Sequence, residues 1–195
     1  MPRTKTNLRV VGVDVGGRRK GFHAVAMDGT GFLARRQTSC VEQLAGWCRE
    51  EIGARLVAVD APCRWSAGDG ARPAERELLA QGIRCFLTPT RRAAVAHPKD
   101  YYEWMLRGAD LFRRLEPTHP LCRGTPSEDA ACCFETFPHA ITWHLRGGHA
   151  EAAKKRAQRL ALLRRHGGFD ASLVNMDWID AALCAVVAAM AAAAR

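Results

Sequence analysis

The 195-residue sequence predicts an α/β domain of five strands and flanking helices, carrying a helical insertion. Three observations predict it. Three strand-like runs crowd residues 8–38. A β-branched run at 56–60 follows a helical stretch. A further strand at 131–137 and an alanine-rich helix come later in the chain.

Leu8-Arg9-Val10-Val11-Gly12-Val13-Asp14-Val15 reads as a largely buried strand, ended by Gly16-Gly17. Phe22-His23-Ala24-Val25-Ala26-Met27 is a second strand. Asp28-Gly29-Thr30-Gly31 is a hairpin turn signal before a third strand at 32–38, which makes an antiparallel meander. Ser39 reads as the N-cap of the first helix. There Val41, Leu44, Ala45, Cys48 and Ile52 recur at helical spacing, and Gly53 ends the run. Leu56-Val57-Ala58-Val59-Asp60, stopped by Ala61-Pro62, has the pattern of a buried parallel strand.

Residues 64–72 read as a loop. Pro73 suits the first turn of a helix that continues through residues 75–80 and closes at Gly82. Residues 85–87 fit no single element. Residues 100–115 form a helix with Tyr101, Trp104, Met105, Leu111, Phe112 and Leu115 on one face. A proline- and glycine-bearing loop follows at 116–129. Residues 90–130 thus read as an insertion packed on a single domain spanning 1–195. Residues 131–137 are a strand stopped by Pro138, and 138–145 a short helix. Residues 151–165 form a basic helix, broken at Gly167-Gly168. Asn175 or Asp177 opens the final helix, which runs to about Ala194. Its apolar stretch at 181–194 is shorter than the roughly 20 residues a bilayer span needs. It reads as a buried helix, and no membrane partner is expected.

Hydrophobic content of 48% and charged content of 25% exclude a disordered chain. No apolar signal core lies within Met1–Asn7, so a cytoplasmic protein is expected. The eight cysteines are then thiols rather than a disulfide framework, with Cys48, Cys85 and Cys184 as small core residues. Lys and Arg number 29 against 20 Asp and Glu, a net charge of +9. That balance suits a polyanion such as nucleic acid, although an arginine-biased composition explains it equally simply.

Four acids stand out by position. Asp14 and Asp60 end apolar strands, Glu135 lies inside one, and Asp180 opens an apolar helix with Asp177 one turn before it. A lone carboxylate in apolar surroundings is costly unless paired or metal-bound. Open sheets place their sites at the carboxyl ends of parallel strands. Each acid also has a plain structural role available: a turn for Asp14, a loop contact for Asp60, an N-cap for Asp177 and a helix-dipole partner for Asp180. Glu135 is harder to explain so, because Glu is depleted in strands.

The segments Gly12-Val13-Asp14-Val15-Gly16, Val59-Asp60-Ala61-Pro62, Phe134-Glu135-Thr136-Phe137-Pro138 and Asp177-Trp178-Ile179-Asp180-Ala181 resemble an uncharacterised bacterial family of predicted nucleases with a ribonuclease H-like fold. Arg72-Pro73-Ala74-Glu75-Arg76-Glu77-Leu78-Leu79 followed by Gly82-Ile83 resembles it too. The Asp-x-x-Asp-Ala motif is similar to the last helix of RuvC-type resolvases. The resemblance implies a ribonuclease H-like mixed five-stranded sheet flanked by helices, the helical insertion being loosest in the match. The third strand would lie beside the second, the second beside the first, the first beside the fourth, and then the fifth. It also implies a carboxylate-held pair of Mg²⁺ or Mn²⁺ ions and phosphodiester cleavage. Asp14 would bridge the metals, with Asp60, Glu135 and Asp180 completing the site and Asp177 capping the helix or reaching the outer metal.

Such chemistry is coherent, because Mg²⁺ prefers oxygen ligands and two metals can stabilise both oxygens of an in-line displacement. Lys154, Lys155 and Arg159 of the basic helix, with Arg18, Arg19 and Lys20, are candidate phosphate contacts; a solvated basic face is the alternative. His119, Cys122, Cys132 and Cys133 match no strong zinc spacing. Residues 12–21 carry no Walker loop or dinucleotide fingerprint. The two other functions compatible with this fold are a non-catalytic nucleic-acid-binding or interaction module and an actin-like ATP-dependent phosphotransferase.

Overall fold

The computed structural model describes residues 8–126, 130–167, 173 and 175–193. The expectations for Met1–Asn7, for the break at Gly168 and for Ala194 lie outside the described residues.

Five strands form one mixed sheet: β1 (Val10–Val15), β2 (Phe22–Asp28), β3 (Gly31–Thr38), β4 (Leu56–Asp60) and β5 (Cys132–Glu135). Their spatial order is β3-β2-β1-β4-β5, as the ribonuclease H-like arrangement requires. The β1–β2 and β2–β3 pairs are antiparallel, whereas β4 runs parallel to both β1 and β5. The register pairs Asp14 with Asp60 across β1 and β4, and Asp14 with His23 across β1 and β2.

Successive strand residues point to opposite faces, and the two faces build two cores. On one, Val10, Val25, Leu56 and Ala58 meet Leu163 of α6 (Lys155–Gly167) and Ile179, Leu183 and Cys184 of α7 (Met176–Ala193). On the other, Val11, Val13, Val57 and Val59 meet Leu44 of α1 (Val41–Gly46) and Leu111 and Leu115 of α4 (Glu103–Leu115). Each fully buried Leu or Ile contributes roughly 1.5–3 kcal/mol. The segment at 90–130 therefore supplies a covering helix of the second core.

The alanine-rich α7 is long and apolar enough, by length and composition, to cross a membrane. Here it lies on the sheet instead. Ala181, Ala182, Ala185 and Ala188 are buried, and their small side chains let its backbone approach β1 closely. A Cβ on Gly12 would sit 2.1 Å from both Ala181 O and Ala185 N, so only glycine fits there. A single missing methyl thus sets the height of α7 over the sheet and of Asp177 and Asp180 over the strand ends.

Several local expectations change in detail. The first helix continues as a π-turn at Trp47–Glu51, and its N-cap is Cys40, not Ser39. Asn175 rather than Asp177 caps α7, accepting from Trp178 N at 3.0 Å. The basic helix begins later than residue 151, after a 3₁₀ turn at Ala152–Lys154. A helix at Arg91–Ala96 (α3), capped by Thr90, has no periodic apolar signal in the sequence. The remaining helices, α2 (Pro73–Ala80) and α5 (Pro138–Leu145), match expectation. Cys48 and Cys184 are buried, but Cys85 is half-buried.

Candidate metal centre

The carboxyl ends of β1 and β4 bring Asp14 and Asp60 together as direct partners. Both strands are apolar up to these residues, so each aspartate sits at the point where the sheet emerges from its cover. Across β1, the Gly16–Gly21 turn closes the hairpin through Gly16 N to Gly21 O, 2.9 Å, and carries Lys20 back over the acids. From above, α7 delivers Asp177 and Asp180 to the same end.

The crowding shifts the acids' proton affinities. Burial, and then the charges of Asp180 and Asp177, push the Asp14 carboxyl up to about 8. Burial, then Asp14 and Asp180, hold Asp60 well above the usual carboxylate range. Burial raises Asp180 too, against the opposing pull of Arg159. Two cations bond these acids directly, and Lys155 adds its charge near Asp180. Arg159 donates from Nη1 to Asp180 Oδ1, and Lys20 Nζ donates to Asp177 Oδ1 at 3.0 Å. The Asp177 bond is the main reason that Lys20 is held above its ordinary range.

Asp14, Asp177 and His23 each offer a donor atom, all within 4.8 Å of one another. Sequence reasoning missed His23. It is 2% exposed, its Nδ1 is buried without a hydrogen-bond partner among the described residues, and burial lowers its pKa. Its ring meets Trp178 edge-on at 4.7 Å. The signal was present: once the hairpin closes at Gly16–Gly21, the one histidine of β2 must stand opposite Asp14.

Glu135 occupies the opposite strand face from Asp14 and Asp60, since it alternates with Phe134 and follows the pattern of Cys133. Its carboxylate accepts from Arg72 Nη1 at 2.8 Å, Arg72 Nη2 at 2.6 Å and Cys63 N at 2.9 Å. Arg72 also donates from Nε to the buried Glu75 at 2.7 Å. Glu75 in turn accepts from the Arg72 and Thr88 backbones. Burial alone would raise Glu75, but the Thr88 hydroxyl and the Arg72 contacts outweigh it and leave its pKa lowered. Glu135 nevertheless lines one cavity of about 380 Å³ with Asp60 and Asp180.

Of the three phosphate contacts expected on the basic helix, Arg159 is 7% exposed and committed to Asp180. Lys155 lines the cavity, and Lys154 is exposed in an ion pair with Glu151 at 2.9 Å. Arg18 is anchored to Glu103 at 2.8 Å, which pins the hairpin tip to α4. His119 has both ring nitrogens engaged, Nε2 with Ala54 O at 2.7 Å and Nδ1 with Thr118 Oγ1 at 3.0 Å.

Comparison with known proteins agrees with this architecture. The chain is similar to the RuvC structure of Thermus thermophilus, with a TM-score of 0.50 and 16% sequence identity, over 95% of this chain and 96% of that one. The likeness is one of fold. A comparison with curated proteins found no match. The family model described as protein of unknown function (DUF429) matches residues 12–195, a span that holds all five acids, His23 and Arg72. With its RuvC-like fold, the chain belongs to the DUF429 family.

Proposed function

We propose that the protein is a divalent-metal-dependent nuclease of the cytoplasm, hydrolysing phosphodiester bonds of nucleic acid at the carboxyl ends of β1 and β4. One observation carries the reading: Asp14 and Asp60 are register partners there, with Asp177 and Asp180 brought over them by α7.

The residues fit a cation. Acids packed this densely are costly without one, and Lys20 and Arg159 leave Asp14 still raised to about 8. The donors are chiefly carboxylate oxygens, which suit Mg²⁺ or Mn²⁺, and His23 Nδ1 has no other partner among the described residues. Asp14, Asp177 and His23, whose donor atoms lie within 4.8 Å of one another, would hold the metal, with Asp60 and Asp180 beside them. When bound, divalent cations polarise the phosphate and acidify water.

The chain's own groups supply the rest. Arg159 fixes the Asp180 carboxylate, and Lys20 fixes that of Asp177. Lys155, on the cavity wall, is placed to meet a substrate phosphate. Glu135 is taken up by Arg72 and Cys63 N. In this reading it braces the cavity wall and leaves metal binding to the aspartates.

Incubation with labelled DNA and RNA should give cleavage that needs Mg²⁺ or Mn²⁺, stops with EDTA and is lost in Asp14→Asn and Asp60→Asn. Cleavage that survives full chelation, or persists in both variants, overturns the proposal.

A further inference from the structure

The cavity beside the acids has a second chemistry that hydrolysis does not require. Lining it together with Asp60 and Asp180 are Phe86 and Trp104, their ring centroids 6.4 Å apart. Phe86 is 63% exposed and Tyr101 is 51% exposed. Tyr101 lies edge-on to Phe86 at 6.4 Å and to Tyr102 at 4.9 Å, and His97 adds a ring 5.3 Å from Tyr101. Five rings therefore run from the protein surface down to the cavity wall. Phe86 sits in a stretch without regular secondary structure between α2 and α3. Its exposure serves no core.

An aromatic rim alone would suit many apolar ligands. The same cavity, however, is lined by Arg72, Lys155 and Arg159, and the chain carries a net charge of +9. Arg72 is held by Glu135 and Glu75 and Arg159 by Asp180, which leaves Lys155 to meet an anion; rings with such a lysine in one cavity match a ligand that is flat and apolar at one end and anionic at the other. At about 380 Å³, the space lies near the low end of the roughly 300–1,000 Å³ typical of small-molecule sites. It suits one nucleotide, not a stretch of duplex. A base inside a duplex is stacked and paired, and it must leave that stack to reach such a pocket.

We propose that this cavity takes one unpaired nucleotide of a nucleic-acid strand, its base stacked on Phe86 and Trp104 and its phosphate turned towards Asp60 and Asp180. The preferred ligand is then a single-stranded or splayed segment, with closed duplex bound more weakly. The direction assigned to the phosphate rests on the nuclease reading; the stacking site does not.

Binding is measured by fluorescence anisotropy in EDTA, so that hydrolysis plays no part. The probes are a labelled thymidylate dodecamer, a uridylate dodecamer and a blunt duplex of the same length. At least one single strand should bind about tenfold more tightly than the duplex. Phe86→Ala should weaken that binding roughly tenfold, as loss of one base–aromatic stack does, while Phe86→Trp preserves it. Phe32→Ala removes a comparably exposed ring on β3 and should leave affinity unchanged. Duplex binding as tight as both single strands, a Phe86→Ala protein that binds like the parent, or an equal loss in Phe32→Ala each overturn the proposal. Failure of metal-dependent cleavage with this binding pattern intact would remove the nuclease reading and leave the stacking site standing.

Discussion

Asp14 and Asp60 stand side by side in parallel register, each with its pKa raised by burial and by the other acids at the same sheet end. In the unfolded chain each would titrate near 3.8. The folded protein therefore holds protons on these groups more tightly than the unfolded one. The stability this gives is complete below about pH 3.8 and is lost as pH rises through the folded value of about 8 for Asp14.

Metal-free protein should accordingly show a melting temperature that falls between pH 5 and pH 8, and less steeply in Asp14→Asn. Saturating Mn²⁺ should flatten the slope, because a bound cation replaces the proton. Thermal melts across pH, with and without EDTA, test this. A parent slope no steeper than that of Asp14→Asn would show that the pair does not govern the pH response.

Asp180 and Arg159 form an ion pair whose side chains are 16% and 8% exposed. Asp180→Asn strands a largely buried guanidinium. It should cost about 2–4 kcal/mol of stability as well as divalent-metal affinity. Adding Arg159→Met should restore much of the stability and none of the metal binding. Asp177→Asn should cost less stability, because its Lys20 partner is 64% exposed and Asn175 supplies the cap. Chemical denaturation and Mn²⁺ titration of all three check the order.

Gly12→Ala should be more damaging than its size suggests. The new methyl would meet backbone on α7 at 2.1 Å, and neither element can yield without breaking its own hydrogen bonds. A loss of about 3 kcal/mol or more is expected, together with weaker metal binding as Asp177 and Asp180 lift away. Gly29→Ala, which meets nothing within 4 Å, should be close to neutral. Equal melting temperatures for the two variants would contradict the close approach of α7.

Lys154 and Lys155 can be neutralised without touching the ion pair of Arg159. If both contact phosphates, the slope of log affinity against log salt for a single strand should fall by roughly 0.7 for each. An unchanged slope in the double alanine variant would assign these lysines to the solvated surface.

The strands were legible because apolar runs end at glycine or proline, as at Gly16-Gly17 and Ala61-Pro62. Strand order and the meeting of Asp14 with Asp60 came with the family resemblance. His23 escaped because a polar residue in an apolar strand acquires meaning only through register. Arg72 escaped because its partner Glu135 lies 63 positions away. Arg159 was read as part of a basic run. Its spacing of three and four from Leu162 and Leu163 puts it on the buried face of α6, and that spacing was the available clue. The exposed ring at 86 left no periodic trace, since no core demands it, and Tyr101, read as part of the apolar face of a helix at 100–115, instead precedes α4 and is exposed.

Arg72 precedes the first residue of α2, and its backbone and side chain both bond Glu75 in the first turn while its guanidinium neutralises Glu135. One side chain thus joins two tasks that proteins usually divide. Losing it would fray the start of α2 and at the same moment release another negative charge into a cavity already bordered by aspartates. Neither defect could be repaired alone: a new helix anchor would leave Glu135 bare, and a new counter-ion would leave the helix untethered. Secondary structure and charge balance at this end of the sheet are therefore a single inheritance, open to change only in concert.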